Sequence, residues 1–200
     1  MSTTTAGIEE YQTMIKPYRE AMSSLMVHID ALNEEYRMRY RDYPIHNIQS
    51  RIKKAESIQT KLVRKGYPPV LESAKDYLTD IAGIRIICYF EPDIVPIAAH
   101  LKKYSDTIII KECDYVTHPK PNGYRSYHLV LGTPVYRTDC KQYYPVEIQI
   151  RSLAMDLWSS MEHRMLYKAE ESHQERIRER FKGFASELKE MENQLYELEF

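Results

Sequence analysis

The feature that most constrains this chain is its hydrophobic period and where that period changes. From Tyr11 the apolar positions run Tyr11, Ile15, Tyr18, Met22, Leu25, Ile29, Leu32 and Tyr36, in alternating steps of four and three. That is the seam of an amphipathic helix near the heptad repeat. The same rhythm returns at Ile177, Phe181, Phe184, Leu188, Met191, Leu195 and Leu198, with Glu, Lys, Arg and Gln filling the positions between. Two long helices therefore bracket the chain. The first seam is expected to pack on the domain's own core; on the second helix, so polar elsewhere, a partner helix is an equal alternative.

Between the seams the pattern shortens. Residues 84–90, 107–111, 124–131 and 146–151 are rich in β-branched and aromatic side chains and punctuated by Gly, Pro and Asp, which predicts strands. Residues 50–65 (SRIKKAESIQTKLVRK) read as a helix with Ile52, Ala55, Gln59 and Leu62 on one side, ended by Gly66 and Pro68. Lys53, Ser57 and Lys61 fall on another face of it. Residues 94–103 and 152–168 read as further helices, and a turn is expected from Asp42 to Ile45. The fold class is α/β, with a mixed β-sheet flanked by helices. At 200 residues the chain forms one domain with one core: an N-terminal helix over 1–40, a core over 41–168 and a C-terminal helix over 169–200.

Charge and cysteines narrow the classes of partner. The 28 Lys and Arg nearly balance 29 Asp and Glu, so no whole-molecule field draws the protein to nucleic acid or an anionic membrane. Any anion site must be local. No apolar run approaches the roughly 20 residues that span a bilayer. Cys88, Cys113 and Cys140 are far apart and in no metal-ligand spacing, and MSTTTAGIEEYQ has no basic stretch followed by an apolar one. A soluble, cytoplasmic protein is expected.

The chemistry concentrates in three stretches. KPNGYRSYH (120–128) gathers cations, hydrogen-bonding groups and flat rings without one aliphatic residue, the mixture a nucleotide asks for. In Val146-Glu-Ile-Gln-Ile-Arg151 the period of two sends Val146, Ile148 and Ile150 to one face and Glu147, Gln149 and Arg151 to the other. A solvated face produces the same alternation. Period two likewise groups Tyr124, Ser126 and His128. In TDIAGIRIIC (79–88), Arg85 lies among Ile84, Ile86 and Ile87, where an unpaired charge costs several kcal/mol, so it should face a cleft or an anion. Asp80 and Glu147, on separate strands, are the minimum that holds Mg²⁺ when phosphates complete its shell.

The set SRIKKAESIQTK, DIAGIRIICYF, KPNGYRSYHLV and PVEIQIRSLAMDLWSSMEH, in that order, resembles the synthetase domain of the RelA/SpoT family over roughly residues 40–168, and the short chain resembles its stand-alone small alarmone synthetases. The resemblance implies a nucleotidyltransferase-like synthetase that transfers the β,γ-pyrophosphate of ATP to the 3′-hydroxyl of GDP or GTP, making ppGpp or pppGpp and AMP. It implies Tyr124 stacked on guanine and Asp80 and Glu147 on Mg²⁺, with Glu147 also taking the proton of the attacking hydroxyl. It implies Arg51 and Arg85 clamping adenine, and Lys53, Ser57 and Lys61 on the ATP phosphates. Lys120, Asn122 and His128 would hold the guanosine nucleotide, with Gln149 and Arg151 in second rank. Small relatives are commonly tetramers, so a homotetramer through the terminal helices is expected, with RNA a regulator at most. Cys113 departs from the family's usual basic residue before the Asp-Tyr pair, Lys111 lying two positions earlier. No histidine is followed by aspartate, so no hydrolase domain is expected.

Two other readings stay open on the residues. A non-catalytic single-stranded RNA-binding protein would use Tyr124, Tyr127 and the lysines but leaves Asp80 and Glu147 without purpose. A nucleotidyltransferase with a different acceptor would use both carboxylates.

Overall fold

The computed structural model describes residues 5–40 and 43–198. Helix α1 (Thr5–Tyr40) is followed by strand β1 (Ile45–Ile52), α2 (Ala55–Arg64), α3 (Leu71–Tyr77) and β2 (Ala82–Cys88). A short 3-10 turn (Glu91–Asp93) leads into α4 (Ile94–Lys102), then β3 (Ile108–Asp114), β4 (Tyr127–Tyr136), β5 (Lys141–Ser152), α5 (Leu153–Lys168) and α6 (Glu171–Glu197). The five strands form one mixed sheet in the order β1-β2-β5-β4-β3, with only the β2–β5 pair parallel.

One face of that sheet is core. Ile84 and Ile86 of β2 lie beside Ile148 and Ile150 of β5, and Leu129 and Leu131 of β4 continue the apolar layer. The α1 seam packs onto the same cluster, with Ile15, Leu25 and Ile29 buried, as expected for a helix whose stripe is satisfied within its own domain. Ile94, Ile97 and Leu101 of α4 join it. The opposite face is left for polar side chains. Ser152 ends β5 opposite the buried Cys88 and caps α5, its Oγ accepting from the Met155 N–H at 3.3 Å. Helix α6 then packs back on α5, and the Trp158 indole donates to the Phe181 carbonyl at 2.7 Å.

Three local expectations are corrected. The helix predicted over 50–65 begins only at Ala55; residues 45–52 are an edge strand paired with β2, so Arg51 and Ile52 are strand residues. That strand is exposed along most of one edge and shows no alternation, so its identity comes from hydrogen bonding to β2 and not from a hydrophobic pattern. Helix α3, unanticipated, buries Leu71 and Ala74 after the Pro68-Pro69 break. Tyr124 and Ser126 precede β4 instead of lying on it: a turn closed by the Gly123 N–H on the Lys120 carbonyl (2.9 Å) delays the strand to Tyr127. The expected turn at Asp42–Ile45 begins outside the described residues.

Candidate active site

The register of the sheet builds the site. On the polar face one row of neighbours crosses the strands as Arg51, Gly83, Glu147 and Val130, and a second as Gln49, Arg85, Gln149, His128 and Cys113. Gly83 leaves a gap in the first row, where an added Cβ would lie 3.9 Å from the Glu147 carbonyl oxygen and 4.0 Å from Arg51 Cγ. Around this gap lies a cleft of about 120 Å³ lined by Gln49, Ser50, Arg51, Arg85, Glu147 and Gln149, among others. Arg85 thus faces a cleft, as its position among isoleucines demanded.

Hydrogen bonds then tie the rows together. Gln149 donates to Glu147 Oε2 at 3.0 Å, and its own Oε1 accepts from Arg151 at 3.0 Å. The other Glu147 oxygen lies 3.8 Å from His128 Nδ1. Arg151, buried at the end of β5, donates to the Tyr124 hydroxyl at 2.8 Å and to Asp156 at 3.2 Å. Arg85 reaches the same Asp156 oxygen at 3.3 Å. Burial, then the charge of Arg151, lowers the Arg85 pKa from its ordinary value, and Asp156 opposes both.

Tyr124 is held from several sides. Its N–H is accepted by Asn122 Oδ1 at 3.2 Å, and its ring carries the Lys120 ammonium 4.8 Å from the centroid, within cation–π range. Gly123 takes φ +91°, and a Cβ there would lie 2.8 Å from Ala185 Cβ, so the loop rests directly on α6. Next to it, Arg125 is buried and pairs with Glu91. Burial and the charges of Arg151, Lys120 and Lys111 push the His128 pKa down to about 4, which keeps the imidazole neutral near pH 7.

Asp80 stands just before β2. Its Oδ2 accepts from Lys53 at 2.5 Å and from Lys61 at 2.6 Å. Burial raises its pKa, but the hydrogen bonds and charges of the two lysines prevail and hold the carboxyl below its usual range. Its Oδ1 is buried without a hydrogen-bond partner. Lys53 precedes α2 and Lys61 lies within it, yet both converge on one carboxylate; Ser57, between them, is exposed.

Residues 50–172 match the family model described as a region found in RelA / SpoT proteins. The chain belongs to the RelA/SpoT family. It is 41% identical over 161 residues to the GTP pyrophosphokinase YwaC of Bacillus subtilis, covering 80% of this chain and 77% of that one. A second GTP pyrophosphokinase of that organism, YjbM, is 31% identical over 190 residues, 95% of this chain and 89% of the other. The fold superimposes on the crystal structure of small alarmone synthetase 1 from Bacillus subtilis bound to its product pppGpp, with a TM-score of 0.85 and 31% identity over 96% of this chain and 97% of that one. A GTP pyrophosphokinase family protein from Streptococcus pneumoniae gives a TM-score of 0.83 at 31% identity, over 99% of this chain and 94% of the other. The expected fold class, a mixed sheet between long terminal helices, is the family's own.

Within this RelA/SpoT domain, the structure gathers Arg51, Arg85, Glu147 and Gln149 around one cleft, and Tyr124, Lys120, Asn122, His128 and Arg151 beside it. Asp80, Lys53 and Lys61 form a third group at the start of β2. Sequence reasoning passed over Asp156, Gly83, Trp158 and the Arg125–Glu91 pair. Asp156 stands five residues after Arg151, on the first turn of the next helix, and that strand-to-helix return was the available signal.

Proposed function

We propose that this chain is a synthesis-only pyrophosphokinase. The 3′-hydroxyl of GDP or GTP attacks the β-phosphorus of ATP, the bond from the α-phosphate to the β-phosphorus breaks, AMP leaves, and ppGpp or pppGpp is formed. The observation that carries this reading is the polar sheet face on which a carboxylate, Glu147, shares a cleft with Arg51 and Arg85, while an aromatic ring, Tyr124, is held beside it by Arg151. A single-stranded RNA-binding role finds no support there, because Glu147 would repel a phosphate backbone.

Each residue then has a task. Arg51 and Arg85, planar and always charged, hold adenine. Tyr124 stacks on guanine, with Lys120, Asn122, His128, Gln149 and Arg151 positioning ring, loop and nucleotide. Glu147 takes the proton from the 3′-hydroxyl. Lys53, Ser57 and Lys61 meet the ATP phosphates, the two lysines exchanging part of their hold on Asp80 for them. Transfer of this kind needs positioning and positive charge more than covalent help.

The donor set fits Mg²⁺. Asp80 offers a buried oxygen with no other partner, Glu147 lines the cleft, and among the described residues no cluster of three His, Cys, Asp or Glu would bind a metal without phosphate oxygens. Bound there, the ion would neutralise charge on the transferred phosphates. The reading extends to a single 1–200 synthetase domain, to a cytoplasmic protein, and to RNA confined to regulation. No helix among the described residues is long and apolar enough to cross a membrane. It also includes a homotetramer through the terminal helices. Exposed Leu153, Leu157, Met161 and Met165 repeat every four residues on α5, and Met191 and Leu195 stand exposed on α6. The test is incubation with ATP labelled on its γ-phosphate, Mg²⁺ and GDP or GTP: the label should move to a guanosine product with equimolar AMP. Release of free pyrophosphate alone would defeat the proposal.

A further inference from the structure

Asp156 has no part in the assignments above, yet it sits where the two halves of the cleft meet. One of its oxygens, Oδ1, lies 3.3 Å from an Arg85 nitrogen and 3.2 Å from an Arg151 nitrogen. Both distances exceed the roughly 2.7–2.9 Å of a well-formed charge-assisted bond, as befits one oxygen divided between two guanidinium groups. The Arg151 side chain is only 5% exposed and that of Asp156 18%, so water does little to screen the sharing. From Arg151 three bonds lead onward, to Ser126 Oγ at 3.4 Å, to the Tyr124 hydroxyl at 2.8 Å and to Gln149, which in turn holds Glu147. Arg51, in the neighbouring row, adds a third positive charge on the same side. Asp156 is the carboxylate that pairs with both Arg85 and Arg151. Its place in the first turn of α5 suits a negative charge, because the helix N-terminus is the positive end of the helix dipole.

We propose that Asp156 is a positioning residue that couples the donor and acceptor sites. In the free protein Arg85 and Arg151 compete for it. When adenine engages Arg85, the carboxylate is released to Arg151, which is then held more firmly in the place from which it bonds the Tyr124 hydroxyl and, through Gln149, Glu147. Donor binding thereby prepares the guanine platform and the base together. This inference rests on the pyrophosphokinase reading, in which Arg85 meets the donor and Tyr124 the acceptor.

The test is calorimetric titration with GDP, alone and with a saturating ATP analogue whose α and β phosphates are joined by methylene, so that no turnover occurs. In the wild-type protein the analogue should tighten GDP binding by at least about fivefold, the lower end of ordinary coupling. In Asp156→Asn that ratio should fall to within about twofold of one. A ratio taken within one variant cancels a general loss of stability, which a purely structural role would produce. Arg85→Met supplies a second reading that does not require Asp156→Asn to fold: with one competitor gone, GDP alone should bind severalfold more tightly than to the wild-type protein. Asp156→Asn with an unchanged ratio, a wild-type ratio near one, or Arg85→Met with weakened GDP binding would each overturn the proposal. An Arg85→Met protein that binds the ATP analogue as well as wild type would instead overturn the donor assignment beneath it.

Discussion

The Tyr124 hydroxyl and His128 Nε2 lie 2.7 Å apart, and Arg151 shares the same hydroxyl. Arg151 can only donate, and it donates to that hydroxyl at 2.8 Å, which leaves the Tyr124 proton available to His128. On the other side of the ring, His128 Nδ1 is turned toward Glu147 at 3.8 Å. Tyr124 and Glu147 thus flank one imidazole, which its lowered pKa keeps neutral near pH 7.

That neutrality is testable through pH. The folded His128 pKa is depressed, so its contribution to stability is complete above about 6.5 and is lost as pH falls toward about 4, where the unfolded chain gains a proton that the folded one refuses. At pH 4.5, His128→Gln should have recovered roughly 2–3 kcal/mol relative to wild type compared with pH 7.5, by urea unfolding. Identical pH dependence for the two proteins would refute the buried neutral ring.

On the proposed reading, the two nucleotides take separate parts of the site. Tyr124→Ala should weaken GDP or GTP binding by about 1–3 kcal/mol and leave ATP affinity nearly unchanged, because one ring stacks on one base. Arg85→Ala should weaken ATP without weakening the acceptor. Equal losses for both nucleotides in either variant would contradict the division.

The loop that carries Tyr124 rests on the C-terminal helix. Gly123→Ala introduces a Cβ 2.8 Å from Ala185 Cβ at φ +91°, which should cost about 1–3 kcal/mol and lower Tm by several degrees. The acceptor KM should rise with it, since Tyr124 is the next residue. An unchanged Tm and acceptor KM would show that loop and helix are independent.

The two terminal seams illustrate how far a sequence can be read. The α1 stripe is buried throughout its middle, and β5 alternates as its period of two required. In α6 the stripe divides: Phe181 turns inward onto Trp158 while Met191 and Leu195 stay exposed, a distinction that depends on where α5 lies. The shared cleft position of Glu147, Gln149 and Arg85, carried by strong local patterns, was legible for the same reason. What escaped was tertiary. Gly83 matters only because Arg51 and Glu147 flank it across two strand pairings, and Asp156 only because α5 folds back over the sheet.

If the exposed part of α6 meets another copy, Met191→Lys combined with Leu195→Lys should yield a smaller particle by light scattering, with the fold retained by circular dichroism. A wild-type protein already monomeric at micromolar concentration would count against the assembly.

The central claim is that Glu147 serves as base beside the donor phosphates, and Glu147→Gln tests it most directly. Glutamine keeps the shape, and Val146, Ile148 and Ile150 remain packed in the core, so Tm should move little. Synthesis of ppGpp and pppGpp, followed with labelled ATP under saturating GDP or GTP, should fall by at least the roughly 10²–10⁴-fold typical of losing a positioned base. A folded Glu147→Gln protein that makes either product within a few-fold of the wild-type rate would contradict the account.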